Sequence, residues 1–70
     1  MLKDHFDRWM MRSGETLASA AFRIGVSPIT LSRWIHGHAE PRPKNVLPMA
    51  ELLGVDADVL LEQTRKKVAA

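Results

Sequence analysis

The chain contains no cysteine, which excludes disulfide bonds and thiolate metal sites and fits a reducing compartment. It has no long apolar run and no charged-then-apolar amino-terminal segment, so neither a membrane span nor a signal peptide is predicted. No alternating apolar and polar pattern indicates a β-strand, and no internal repeat is present. With 70 residues, the sequence predicts one small domain of a soluble, cytoplasmic protein.

The net charge is only +2, so the total charge does not by itself indicate a nucleic-acid-binding protein. The distribution of charge is more informative. Between Arg23 and Lys44 there are four basic residues and one acid, Glu40, whereas from Val46 onward there are three basic and four acidic residues. Positive charge is therefore concentrated in the middle of the chain.

Residues 17–37 combine two short helical patterns with a tight turn. The first pattern has an apolar face of Leu17, Ala20, Ala21 and Ile24. Gly25 can take the left-handed backbone that ends a helix, Ser27 is a typical N-cap, and Pro28 suits a first helical position. Two helices joined in this way predict a helix-turn-helix, whose second helix enters the major groove of DNA.

Apolar spacing and capping residues predict three further helices. The first covers about residues 2–12, the fourth follows a cap at Asn45 with Pro48 in its first turn, and the fifth follows a cap at Asp56. If the fourth helix starts earlier, Pro48 is expected to kink it. Residues 38–44 are predicted to form a loop and residues 64–70 to fray. The sequence thus predicts an all-α, five-helix domain over residues 1–63. The predicted core is Leu2, Phe6, Trp9, Met10, Leu17, Ala20, Ala21, Ile24, Val26, Leu31, Trp34, Ile35, Val46, Met49, Leu53, Val55 and Leu60.

Helical periodicity divides the third helix, at about residues 28–36, into two faces. One is core material, made of Leu31, Trp34 and Ile35, and the other is an outward stripe of Ile29, Ser32, Arg33 and His36. Arg33 is expected to bind guanine O6 and N7, with a phosphate clamp or a surface ion pair as the alternative. Ile29 is either an isolated surface residue or a contact to a thymine methyl group, and we favour the thymine contact.

Other polar groups are expected to contact DNA phosphates. The free N–H groups behind Thr16 form one anchor at the start of the second helix. Ser27 and Thr30 contribute hydroxyl groups, although Ser27 is already explained as a cap. His36 and the loop residues Arg42 and Lys44 would follow the backbone as the chain leaves the groove.

The string SAAFRIGVSPITLSRWIHG, followed by the Pro41–Pro43 loop and VLPMAELLGVDADVLL, resembles the Cro/C1-type (lambda-repressor-like, XRE) helix-turn-helix family over residues 2–63. The resemblance implies a five-helix lambda-repressor-like fold and sequence-specific binding to double-stranded DNA. It also implies a regulator of bacterial or phage transcription, here taken to be a repressor. The base-reading positions of the family map onto Pro28, Ile29, Ser32 and Arg33. Its phosphate positions map onto Thr16 and Leu17 at the start of the second helix, and onto His36, His38, Arg42 and Lys44.

The sequence departs from the family at two contact positions. Members often have glutamine at the first recognition position and at the start of the second helix, where this chain has Pro28 and Leu17. These two side chains offer no hydrogen bond to DNA.

Other functions are less well supported by the sequence. There is no glycine-rich phosphate loop and no nucleophile–base pair, so neither an enzyme nor a cofactor is predicted. His36 and His38 lack a third ligand, so no metal site is predicted. The alternative function is an antitoxin or accessory subunit that uses the same fold to bind a protein partner. Because one small domain covers half an operator, we expect a homodimer on palindromic DNA. The expected contact is the fifth helix and the adjoining loop, where Leu61 lies off the core-facing side and Val68 is exposed.

Overall fold

Five α-helices make up the part of the chain that the structure, a computed structural model, describes, which is residues 2–64. They are α1 Leu2–Ser13, α2 Leu17–Ile24, α3 Pro28–Ile35, α4 Pro43–Leu53 and α5 Ala57–Thr64, with no strand among the described residues. The predicted all-α, five-helix architecture is confirmed. Of the tail predicted at 64–70, Thr64 ends α5; the remainder, including Val68, lies outside the described residues.

The turn between α2 and α3 is built as the sequence predicts. Gly25 ends α2 with φ 94°, a left-handed backbone conformation that glycine adopts without a Cβ clash. The N–H groups of Gly25 and Val26 both donate to the carbonyl of Ala21, at 2.8 and 3.0 Å. Val26 is half-buried against the core, and the Ser27 hydroxyl then caps α3 by accepting from the Thr30 N–H at 3.1 Å. The glycine turns the chain, the valine anchors it and the serine starts the next helix.

The turn between α4 and α5 repeats this arrangement. Gly54 ends α4, and the Val55 N–H donates to the carbonyl of Ala50 at 3.1 Å. Val55 is half-buried, and the Asp56 carboxylate accepts from the Asp58 N–H at 2.9 Å. The predicted cap at Asp56 is confirmed. Both connections are short and anchored at an apolar residue, so they fix the angle between the helices that they join.

The predicted start of α4 is wrong. Asn45 is not its N-cap; the helix begins two residues earlier at Pro43, with Arg42 as an N-cap that makes no side-chain hydrogen bond. Proline suits this position because its fixed φ is helical and the N–H that it lacks would have no intrahelical partner. As a result Pro48 lies inside the helix, where it leaves the carbonyl of Lys44 without its usual donor four residues later.

The core draws a fully buried side chain from every helix. The side chains with no exposed surface are Phe6 of α1, Ala20 and Ala21 of α2, Leu31 of α3, Met49 of α4 and Leu60 of α5. Five predicted core residues, Met10, Leu17, Val26, Ile35 and Val55, are half-buried at its edge. Pro41, which lies in the predicted loop, is buried. None of the polar or charged residues described is buried, so apolar packing forms the core, and at its edge the Arg12 guanidinium of α1 donates to the Leu53 carbonyl of α4 at 3.4 Å.

Small side chains allow α2 to lie close to its neighbours. Ala20 and Ala21 are both fully buried, and α2 packs against α3 on one side and α4 on the other. A methyl group at these positions lets two helix backbones approach each other, whereas a longer side chain would force them apart.

We therefore expect Ala21→Leu to destabilise the protein by about 1–3 kcal/mol through overpacking. The free energy of unfolding is measured by urea denaturation, with Ala18→Leu as the matched control, because Ala18 is exposed on the same helix. Equal effects of the two substitutions would contradict the assignment of Ala21 to a tight helix crossing.

Candidate nucleic-acid interface

The two faces of α3 have opposite environments. Leu31 and Trp34 are buried, whereas Ile29 is 74% exposed and Arg33 is exposed. Pro28 at the first helical position is exposed, Ser32 is half-buried, and His36 is exposed as the C-cap residue. The predicted outward stripe of Ile29, Ser32, Arg33 and His36 therefore lies on one side of a helix whose other side is packed. Because the packed face already fixes the position of α3, its exposed face can enter a groove of a nucleic acid without a further conformational change.

The hydroxyl groups of Ser27 and Thr30, at the start of α3, differ in whether their hydrogen is available to an external acceptor. Ser27 Oγ accepts from the Thr30 N–H and donates its own hydrogen to Thr30 Oγ1 at 2.9 Å. Its only hydrogen is thus used inside the turn, whereas Thr30 keeps a hydroxyl hydrogen that can be donated outward. Of these two predicted phosphate contacts, Thr30 is the better donor.

The start of α2 presents a hydroxyl group and free backbone donors. Thr16 Oγ1 accepts from the Ser19 N–H at 3.2 Å, which leaves the hydroxyl hydrogen of Thr16 available. The side chain of Leu17 is half-buried against the core, so this residue can offer an external partner only its N–H group. The first N–H groups of a helix have no intrahelical acceptor and carry the positive end of its dipole.

The turn after α3 is closed by two backbone hydrogen bonds. The Gly37 N–H donates to the carbonyl of Trp34 at 3.2 Å, and the His38 N–H donates to that of Arg33 at 2.8 Å. This is the hydrogen-bond pattern of a Schellman motif. It brings the rings of His36 and His38 together, with centroids 6.5 Å apart and planes at 25°. Both histidines are exposed at the carboxyl end of α3.

Three cations near α3 are available to an external anion. Arg33, Arg42 and Lys44 are all exposed, and within residues 2–64 no salt bridge involves any of them. Arg42 lies in the predicted loop, as the extended residue directly before α4, whereas Lys44 lies in the first turn of α4 and not in the loop. These side chains gain the most from a phosphate because they give up no internal partner.

Arg23, which contributes to the positive window of the sequence, is paired. Its guanidinium donates to both carboxylate oxygens of Glu15, from Nε at 2.8 Å and from the terminal nitrogen at 3.0 Å. The Ser19 hydroxyl donates to the same carboxylate. This cluster was not predicted, although the four-residue spacing of 15, 19 and 23 is the signal that could have revealed it. Within the residue window 23–44, the cations without a salt bridge therefore lie on α3 and at the start of α4.

The hydrogen bond from Ser19 and the bidentate contact from Arg23 hold the pKa of Glu15 below its ordinary value of 4.5. Both interactions favour the carboxylate over the carboxylic acid. In the described residues no group of three or more histidine, aspartate or glutamate side chains could hold a metal ion. None of the helices described is long and apolar enough to cross a membrane.

Comparison with known proteins gives one family. The model of a family described as helix-turn-helix, HTH_3, matches residues 12–60. That range contains the whole of α2, α3 and α4 and the first half of α5. No curated protein and no solved structure matches the chain.

For the cluster at the start of α2, we expect Glu15→Gln to lower the melting temperature at neutral pH. Because the folded-state pKa of Glu15 is lowered, its stabilisation is present above the unfolded pKa and is lost as the pH falls through the folded value. The difference from the unmodified protein should therefore close as the pH falls below 4.5. Glu51→Gln, at an exposed position of α4, is the control and should show no such pH-dependent difference. A Glu15→Gln deficit that persists in acid would contradict this account.

Proposed function

The chain belongs to the Cro/C1-type (XRE) helix-turn-helix family, and on this premise we propose that it is a sequence-specific double-stranded DNA-binding repressor of transcription. In this proposal α3 enters the major groove, and the protein acts in the cytoplasm at the nucleoid. The observation that carries the proposal is the outward face of α3. There an exposed apolar residue and an arginine without a salt bridge to any described residue lie on a helix packed by its opposite side. Such a face suits the mixed polar and methyl-bearing edge of the major groove.

The base-reading residues in this proposal are Pro28, Ile29, Ser32 and Arg33. Arg33 pairs with guanine through two hydrogen bonds to O6 and N7, and Ile29 contacts a thymine methyl group. The 74% exposure of Ile29 supports that contact, because burying it in the groove removes apolar surface from water. Ser32 discriminates little because it can donate or accept, and Pro28 contributes shape alone.

The phosphate contacts surround these residues. Thr16 and the N–H of Leu17 approach the backbone from the start of α2, and the Thr30 hydroxyl approaches it from α3. His36, His38, Arg42 and Lys44 approach it from the end of α3 and the start of α4. Support comes from the unused hydrogens of Thr16 and Thr30 and from the absence of salt bridges to Arg42 and Lys44 within residues 2–64. Ser27 is the weakest of the predicted phosphate contacts, since its hydrogen is donated to Thr30.

The protein binds in this proposal as a homodimer on a palindrome, with half-sites about one helical turn apart. A two-fold dimer places two identical recognition helices on one side of the duplex. The proposed contact is α5, where Val59 is 47% exposed and Leu61 is half-buried.

A second function is favoured by apolar residues outside these surfaces. Phe22 on α2 is 88% exposed and Met11 on α1 is 86% exposed, so two large apolar side chains are accessible to a protein partner. An antitoxin or accessory subunit would use such residues to bind a protein. DNA binding that does not depend on Arg33 or Arg42 would favour this alternative.

The experiment that tests the primary function is selection of bound sequences from random DNA duplexes. We expect a palindromic motif that includes a guanine read by Arg33, and its half-site spacing reports the geometry of the dimer. Recovery of no enriched sequence, together with no binding at low salt, would overturn the proposal.

Arg33→Ala and Arg42→Ala should have different effects on DNA binding. We expect Arg33→Ala to cost about 1–3 kcal/mol on the selected sequence and to relax the choice of base at one position. Arg42→Ala should weaken binding to all sequences alike and reduce the slope of log affinity against log salt by about 0.9. Titrations at several salt concentrations measure both. Arg8→Ala, which removes the same charge from an exposed position of α1, is the control. Identical effects of all three substitutions would refute the assigned roles.

Val59→Glu should convert the dimer to a monomer, because it places like charges opposite each other in an apolar contact. Sedimentation at high protein concentration measures the oligomeric state. Met11→Glu changes an exposed apolar residue on α1, which lies outside the proposed contact, and should leave the dimer intact. A monomer for the unmodified protein, both free and on DNA, would eliminate the dimer proposal.

A further inference from the structure

The imidazole ring of His36 is held by the helix that it ends. Its Nδ1 lies 2.9 Å from the carbonyl oxygen of Ser32, which also accepts from the His36 backbone N–H at 3.0 Å. The carbonyl oxygen can only accept, and it lies closer to Nδ1 than the Ser32 hydroxyl oxygen does, which is 3.4 Å away, so we assign the hydrogen to Nδ1. In the neutral ring the other nitrogen, Nε2, therefore has a lone pair and no hydrogen.

This arrangement decides what His36 can bind. A neutral ring with a lone pair at Nε2 repels a phosphate oxygen, which is itself only an acceptor. Protonation at Nε2 turns the same atom into a positively charged donor without disturbing the contact to Ser32, since both ring nitrogens of the cation donate. Histidine side chains change charge between pH 5 and 8.

The surroundings of His36 add positive charge rather than neutralise it. The His38 ring is stacked 6.5 Å away, and Arg33 is one turn back on α3. Arg42 and Lys44 follow at the start of α4, and Glu40 is the one acid between the end of α3 and these cations.

Charged groups on the two helices packed against α3 have their own contacts. On α1, Asp7 pairs with Lys3 at 2.7 Å and the Arg12 guanidinium donates to the Leu53 carbonyl. The remaining titratable or charged side chains of α1 are Asp4, His5 and Arg8, the last two in contact with each other. On α2, Arg23 is bound to Glu15. In residues 2–64 the hydrogen-bond and ring partners of His36 are Ser32 and His38.

We propose that DNA binding by this protein is coupled to protonation of His36, assisted by its stacked neighbour His38, so that affinity for a DNA phosphate rises as the pH falls. The inference rests on the proposed function, because it concerns the regulation of the same interface. It assigns His36 a role that switches on with a proton, whereas Arg33, Arg42 and Lys44 bind at any pH.

The coupling predicts two measurable effects. Uptake of one proton on binding raises the affinity by at most about tenfold per pH unit, and we expect a rise of at least about threefold from about pH 8 to about pH 5.5. Each additional phosphate contact steepens the dependence of log affinity on log salt by about 0.9, so the slope should be greater at the lower pH. Both effects should appear on a mixed-sequence duplex at low salt, since phosphate contacts do not depend on sequence.

The test compares histidine variants across this pH range. His36→Gln offers a side-chain amide that donates at any pH, so binding should persist while most of its pH dependence is lost. His38→Gln should reduce the pH dependence by less. His5→Gln on α1 is the matched control, because His5 contacts Arg8 and lies outside the interface, and its pH dependence should equal that of the unmodified protein.

Ring-nitrogen NMR shifts of the DNA-free protein at about pH 8 provide a readout that does not need DNA. We expect the tautomer with hydrogen on Nδ1 of His36. The other tautomer, or an affinity that is the same at both pH values, would overturn the inference. So would an unchanged pH dependence in His36→Gln. Absence of binding to any duplex at low salt and either pH would instead defeat the proposed function itself.

Discussion

Burial of one face of α3 is the interaction on which the interface depends. Leu31 has no exposed surface, and Trp34 is also buried in a core to which all five helices contribute. Burying a large apolar side chain stabilises a protein by about 1.5–3 kcal/mol. That gain is obtained only with Ile29 and Arg33 directed outward, because the same helix cannot turn both faces inward. Apolar packing, rather than any polar contact, therefore sets the orientation of the exposed stripe.

The charged side chains of residues 2–64 fall into two groups, those that form salt bridges and cations that do not. Arg23 and Glu15 bind each other at the start of α2, and their pairing lowers the pKa of Glu15. Arg33 and Arg42 have no such partner within residues 2–64. An arginine that is already bound to a carboxylate would have to give up that contact to bind a phosphate. Arg33 and Arg42 can bind a phosphate without giving up a carboxylate. The net charge of a sequence window counts Arg23 together with them, and it therefore overstates the number of cations ready to bind an anion.

Local chemistry made most of the fold predictable. The Gly25-Val26-Ser27 turn, the cap at Asp56 and the apolar periodicity of the helices depend on residues close together in sequence, and the structure has each of them. The start of α4 was not predicted, because Pro43 and Asn45 are both acceptable near a helix start and local preference does not choose between them. The 88% exposure of Phe22 was not predicted either, since the apolar character of a residue does not state which helix face has a neighbour.

What the sequence by itself determined is the set of five helices, their turns and the polar identity of the outward stripe on α3, because backbone preference and helical period are local properties. Only the tertiary structure decided which side chains are covered and which distant residues meet. Phe22 is left 88% exposed although Ala20 and Ala21 on the same helix are buried, and the Arg12 guanidinium of α1 donates to the Leu53 carbonyl of α4. Burial and contacts between residues far apart in sequence depend on how the helices pack, and helical period alone does not specify that packing.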